Sequence, residues 1–170
     1  MDNSILIIST GGTFNKIYNK LNGELEIHKN SKALKKILKK WNSKFEFFSI
    51  INKDSLDFTK KDRKKLLKKV KNSNFNKIVV IHGTDTIDKS AKFIAKAKLD
   101  KVIIFTGAMK PFSIEPIEAT ANLASAIGYA KLANSGVYIS LNGVINNYKR
   151  VKKNREKGKF ELISKNVSKQ

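Results

Sequence analysis

A chain of 170 residues is long enough for one domain with its own core and short for two of ordinary size. Its 41% hydrophobic and 29% charged residues suit a soluble globular protein, no apolar run approaches the length of a membrane helix, and the lack of cysteine excludes disulfides, thiolate metal sites and a cysteine nucleophile. The formal charge of +21 raises nucleic acid as a partner, yet the excess is nearly all lysine, accompanied by much asparagine, isoleucine and phenylalanine, and only three arginines offer the forks that read bases. Nucleotide bias in a genome produces that mixture without any nucleic-acid partner, so nucleic-acid binding is not expected.

Along the chain, Met1 to Ser4 lacks the basic flank and cleavage site of a signal peptide, and a cytoplasmic location is expected. Ile5 to Ser9 reads as a strand and runs into Thr10-Gly11-Gly12-Thr13. Ser31 to Trp41 reads as a helix, because Leu34, Ile37, Leu38 and Trp41 fall on one stripe. A second strand, Phe45 to Ile51, precedes Lys53-Asp54-Ser55-Leu56-Asp57, and Thr59 with Asp62 forms an imperfect capping box for a helix to Val70. Lys77 to Ile81 is the third strand, ending in His82-Gly83-Thr84-Asp85-Thr86, and helical pattern resumes over Ser90 to Lys96. The fourth strand, Val102 to Thr106, meets Gly107-Ala108-Met109-Lys110-Pro111 before a helix over Ile117 to Leu132. Val137 to Leu141 is the fifth strand, followed by a polar stretch from Asn142 to Lys153. Lys149 to Gly158 reads as a loop, Lys159 to Ile163 as a short edge strand and 164–170 as a frayed tail, so the expected unit is one domain over residues 1–163.

Alternation of strands and helices predicts an α/β fold, a three-layer sandwich around a mainly parallel, doubly wound, Rossmann-like sheet. The strand runs are apolar throughout, as strands covered on both faces must be. In such sheets ligands bind outside the carboxyl ends of the strands, and all five polar or glycine-bearing turns fall there. Thr13, on a glycine backbone that allows close approach, is a candidate nucleophile, though it also reads as a turn cap. Thr84 offers a second hydroxyl, and Asp85 reads either as a carboxylate for a substrate ammonium or as a helix cap. Lys153 would polarise or deprotonate a threonine if folded against one, and is otherwise a surface lysine. His82 reads as a packed residue bonded to backbone. Two distant histidines without cysteine do not make a zinc site, and Gly11-Gly12 falls short of a phosphate-binding fingerprint, so neither metal nor cofactor is expected.

Thr10 to Thr13, His82 to Thr86 and Gly107 to Pro111 resemble, in order, the signature segments of the bacterial-type L-asparaginases and glutaminase-asparaginases, and Ser55-Leu56-Asp57-Phe58 resembles the substrate-carboxylate loop. Lys153 falls where the family's catalytic lysine stands. The resemblance implies a hydrolase of asparagine or a related small amide that releases acid and ammonia, with Thr13 as the attacking nucleophile and an acyl-enzyme intermediate. It implies Thr84, Asp85 and Lys153 as the second catalytic group, Asp85 also meeting the substrate α-amino group, and Ser55 meeting its carboxylate. Gly12 and Ala108 would help to bind the amide, and Tyr18 is the counterpart of the tyrosine on the family's mobile loop, which is shorter here. It further implies a homo-oligomer, with this chain matching the N-terminal domain alone of ordinary members. Lys110 replaces the usual arginine, and Glu118 the usual aspartate. Competing expectations are a catalytically weak domain that binds an amino acid or assembles with a partner protein, and a nucleic-acid-binding domain using Lys60 to Lys69. The hydrolase requires the Lys153 ammonium to lie beside the Thr84 hydroxyl.

Overall fold

The computed structural model describes residues 4–42 and 45–163, and the expected tail at 164–170 lies outside them. Its elements in chain order are β1 (Ile5–Gly11), β2 (Lys16–Tyr18), β3 (Leu25–Ile27), α1 (Lys32–Lys40), β4 (Glu46–Lys53), α2 (Lys60–Lys71), β5 (Lys77–Ile81), α3 (Ile87–Ala95), β6 (Val102–Thr106), α4 (Pro116–Leu132), β7 (Gly136–Leu141), β8 (Val144–Asn147), β9 (Val151–Asn154) and β10 (Lys159–Leu162). The main sheet runs β4-β1-β5-β6-β7-β8. Its first five strands are parallel and β8 is antiparallel to β7. Strand order reverses at β1, which has β4 on one side and β5 on the other; a crevice for ligands opens at such a switch point.

The alternation of side chains along each strand divides the core into two layers. Ile5 and Ile7 of β1 face α1 and α4, packing with Leu34, Ile37, Leu123 and Ile127. Leu6 and Ile8 face the opposite way, into Leu66 and Val70 of α2 and Ile87 and Ile94 of α3. Each fully buried isoleucine or leucine contributes about 1.5–3 kcal/mol through removal from water, so the β1 sequence alone fixes helices on both faces. At the start of α2, Thr59 and Asp62 complete both bonds of the expected capping box.

Departures from the sequence expectations are local. The helix expected from Ser90 begins at Ile87, and the loop expected over Lys149 to Gly158 instead contains β9, paired antiparallel with β10. β10 coincides with the edge strand expected over Lys159 to Ile163, while the lysine-rich sequence hides β9, because within the hairpin only Val151 and Phe160 are buried, in the layer beneath α3. They suffice to dock it. Since alternate residues share a face of a strand, burying Val151 directs Lys153 toward the body of the protein as well. Replacing Phe160 by alanine is therefore expected to lower the unfolding free energy by about 3–5 kcal/mol, as measured by urea denaturation. A loss below about 1 kcal/mol would show that the hairpin is not docked by this side chain.

Candidate active site

The carboxyl ends of β1 and β5 meet through backbone. A Cβ on Gly12 would lie 2.5 Å from the Gly83 Cα, and one on Gly83 would lie 2.7 Å from the Ser55 Cβ. Gly12 also has φ of +74°, which side-chain-bearing residues rarely adopt. Glycine is therefore required by both conformation and space. These contacts set Thr13 and Thr84, the residues that follow the two glycines, at one place on the sheet edge. The bulge between Ser9 and Gly11 turns the end of β1 outward, and the Thr10 hydroxyl ties it to the Ile81 carbonyl at 2.9 Å. The Gly12 N–H is not free for a ligand, because it donates to the Lys53 carbonyl at 3.0 Å.

Two further turns close on Thr84. A Cβ on Gly107 would press on the His82 carbonyl and lie 3.6 Å from the Thr84 methyl, which brings the buried Ala108 alongside. From the β9–β10 hairpin, the Lys153 Nζ donates to Thr84 Oγ1 at 2.8 Å and to Asp85 Oδ1 at 3.0 Å. The Lys153 side chain is 16% exposed and Thr84 only 4%, so their bond is shielded from water. The lysine is therefore folded against the threonine.

The remaining expected site residues divide. Ser55 is fully buried; its hydroxyl accepts from the Thr86 N–H at 3.3 Å while its carbonyl accepts from the Thr86 hydroxyl at 2.7 Å. It packs on Gly83 and braces the turn that bears Thr84 and Asp85. Tyr18 sits on the β2–β3 hairpin, 56% exposed, with its hydroxyl near Gly23 at the hairpin's own turn. His82 is wholly buried between Phe58 and Phe105. Burial pushes it down to about 4, against the raising effect of its bond to Gly83, so the neutral ring donates from Nδ1 to the Gly83 carbonyl at 2.8 Å. It is a packed residue, as expected, and it holds the glycine that contacts Gly12.

Several organising residues escaped the sequence reading because their partners are distant in the chain. Arg63 donates to the Phe58 carbonyl, the Ser90 hydroxyl and the Thr86 hydroxyl, locking the Ser55 turn onto α3. Asn122 bonds the Gly107 carbonyl and both the N–H and Oδ1 of Asn142, joining the turns after β6 and β7. Glu118, noted only as a departure from aspartate, accepts from the N–H groups of Met109 and Lys110, each at 2.9 Å. Arg155 places Nη1 2.9 Å from Asp85 Oδ1 and Nη2 3.1 Å from the Asp85 carbonyl. Among the described residues there is no grouping of three histidine, aspartate or glutamate side chains fit to hold a metal, and no helix long and apolar enough to cross a membrane.

A lysine brought to a buried threonine at the switch point of a doubly wound sheet defines an α/β domain with its site at the strands' carboxyl edge. The family described as "Asparaginase, N-terminal" matches residues 4–167, and the chain belongs to it. It is 34% identical over 80 residues to a glutaminase-asparaginase of Acinetobacter glutaminasificans, a match covering 45% of this chain and 24% of that protein. To L-asparaginase 2 of Bacillus subtilis it is 30% identical over 101 residues, covering 55% and 27%. The fold matches the thermostable L-asparaginase from Thermococcus kodakarensis with a TM-score of 0.80 at 23% identity, over 94% of this chain and 51% of that one. A probable cytoplasmic L-asparaginase from Campylobacter jejuni gives 0.73 at 24% identity, over 88% and 49%. The matched segments thus make up about a quarter of those sequence relatives and about half of the solved chains.

The burial of His82 carries a pH signature. The group titrates near 4 in the folded protein and near its ordinary 6.5 when unfolded, so the unfolded chain takes up the proton first as pH falls. Stability from this residue is complete above about 6.5 and declines between 6.5 and 4, by about 3 kcal/mol in total. His82→Asn, which keeps a donor toward Gly83, is expected to flatten the denaturation midpoint across that window. Parallel pH profiles for the two proteins would contradict the assignment.

Proposed function

We propose that this chain hydrolyses the side-chain amide of asparagine or a related small amide, with Thr13 attacking the amide carbon. The contact that carries the proposal is the 2.8 Å bond from Lys153 Nζ to Thr84 Oγ1, made beside the Gly12–Gly83 junction that holds Thr13. In the first step the Thr13 oxygen forms an ester, the amide C–N bond breaks, and ammonia leaves with the proton from the hydroxyl. In the second, water attacks the ester carbon, the acid departs and Thr13 recovers its proton. Thr84 and Lys153 relay protons in both steps, and Asp85 holds the lysine in place. The 3₁₀ turns that begin at Thr13 and Thr84 leave their first N–H groups without acceptors inside the turn, and these serve as donors to the developing oxyanion. Gly12 shapes the floor of the site, Asp85 receives the ammonium of an asparagine-like substrate, the buried Ser55 braces the turn that bears Asp85, and Ala108 borders the amide. Tyr18 enters only if its exposed hairpin folds inward. The cytoplasmic, homo-oligomeric setting expected from the sequence belongs to the same proposal, and the exposed Ile117 and Leu132 of α4 offer apolar surface for assembly.

Ammonia release from asparagine and glutamine tests it. Thr13→Ala is expected to abolish turnover, and Lys153→Met to lower it by at least about a hundredfold, the range typical of a lost proton-transfer group. Wild-type inactivity on every small amide, or turnover surviving in Thr13→Ala, would overturn the proposal.

A further inference from the structure

The proposed nucleophile stands on permissive backbone. Gly11 and Gly12 precede it at φ of +107° and +74°, where side-chain-bearing residues are strained, and the bulge in β1 falls between Ser9 and Gly11. Thr13 itself is half-buried, so its place depends on what holds the backbone on either side. Asn15 supplies that hold. It ends the 3₁₀ turn that begins at Thr13 and is only 3% exposed. Its Nδ2 donates to the Ser9 hydroxyl at 3.0 Å and to the Gly11 carbonyl at 3.3 Å, so one amide grips both sides of the bulge. Its own N–H donates to the Gly12 carbonyl at 3.1 Å, and its carbonyl accepts from the His28 N–H at 3.1 Å, tying the turn to the segment that leads into α1. Thr13 therefore lies within a loop that Asn15 closes.

The other end of the same amide argues against a role in packing alone. Among the described residues, Asn15 Oδ1 is buried with no hydrogen-bond partner. An unpaired buried acceptor disfavours the folded state, so stability by itself does not select asparagine here, and what the side chain contributes is the pair of bonds from Nδ2. We infer that Asn15 is a positioning residue for Thr13, fixing the Gly11–Gly12 segment so that the Thr13 hydroxyl meets the amide carbon of the substrate. The inference rests on the hydrolase proposal and adds a residue to it. Asn15 acts through Thr13 and not on the substrate, so its effect falls on the rate of attack while substrate affinity, set at the Thr84–Asp85 turn, is kept. Attack is sensitive to such placement, since a shift of about 1 Å costs roughly a hundredfold in rate.

The test measures ammonia release from L-asparagine by wild type, Asn15→Asp and Asn15→Ser, together with urea unfolding and amide hydrogen exchange. Aspartate keeps the size of the side chain but, when ionised, has no donor, and serine keeps a hydroxyl too short to reach both acceptors. Both variants are expected to lower kcat by at least about tenfold with KM held within about twofold. Exchange of the N–H groups from Gly11 to Phe14 is expected to quicken by about tenfold in both, with that of β5 unchanged. A kcat within about tenfold of wild type in folded Asn15→Ser, a KM that rises in step with the loss of kcat, or unaltered exchange from Gly11 to Phe14 would overturn the assignment while leaving amide hydrolysis intact. Failure of both variants to fold would overturn it too, by making Asn15 a residue of the fold alone. A wild-type chain that releases ammonia from no small amide would overturn the hydrolase proposal and this inference with it.

Discussion

Backbone contact between Gly12 and Gly83 is the constraint on which the site depends. Neighbouring strands of a sheet lie about 4.8 Å apart, so turns that continue them outward clash if both carry side chains at the point of approach. Two glycines remove that obstacle, and Thr13 and Thr84 are the residues that follow them. Much else serves this junction. The Thr10 hydroxyl ties the end of β1 to β5, His82 holds the Gly83 carbonyl, and Ser55 closes the space on the far side of Gly83.

The second requirement is electrostatic. A lysine ammonium largely withdrawn from water needs strong partners, since an uncompensated buried charge is among the most costly features a fold can carry. Lys153 has the Thr84 hydroxyl and the Asp85 carboxylate, and the hairpin that delivers it is anchored by apolar burial at Val151 and Phe160. The same hairpin carries Arg155, so both cations that meet Asp85 come from one short element. The outer surface is strongly basic, and the few acids near the site are already engaged: Asp54 is shifted up by burial, but Lys16 and the Leu56 N–H outweigh this and hold it below its usual range.

The parallel sheet and the helices that flank it were legible because short unbroken apolar runs alternate with helical stripes, and the order of the runs dictates the crossovers. The turns of the candidate site were legible where polar residues and glycines fall at strand ends, around Thr13, Thr84 and Asp85. What stayed hidden depends on contacts between residues far apart in sequence. Arg155 meets Asp85 across seventy positions, Arg63 meets Ser90 across twenty-seven, and Asn122 meets Asn142 across twenty. The β2–β3 hairpin and β9 also left little trace, whereas β10 was expected as an edge strand. The strands β2, β3 and β9 are three or four residues long and mostly polar or exposed, too short for alternation to stand out from the surrounding lysines and asparagines.

The central claim is a division of labour between Thr13 and Thr84, one attacking and one relaying protons. Acid quenching of the enzyme during turnover, followed by peptide mass mapping, reports which hydroxyl carries the acyl group. An ester on the peptide containing Thr13, with the peptide containing Thr84 unmodified, is the predicted result. An ester on Thr84, or steady turnover with no ester on either threonine, would contradict it.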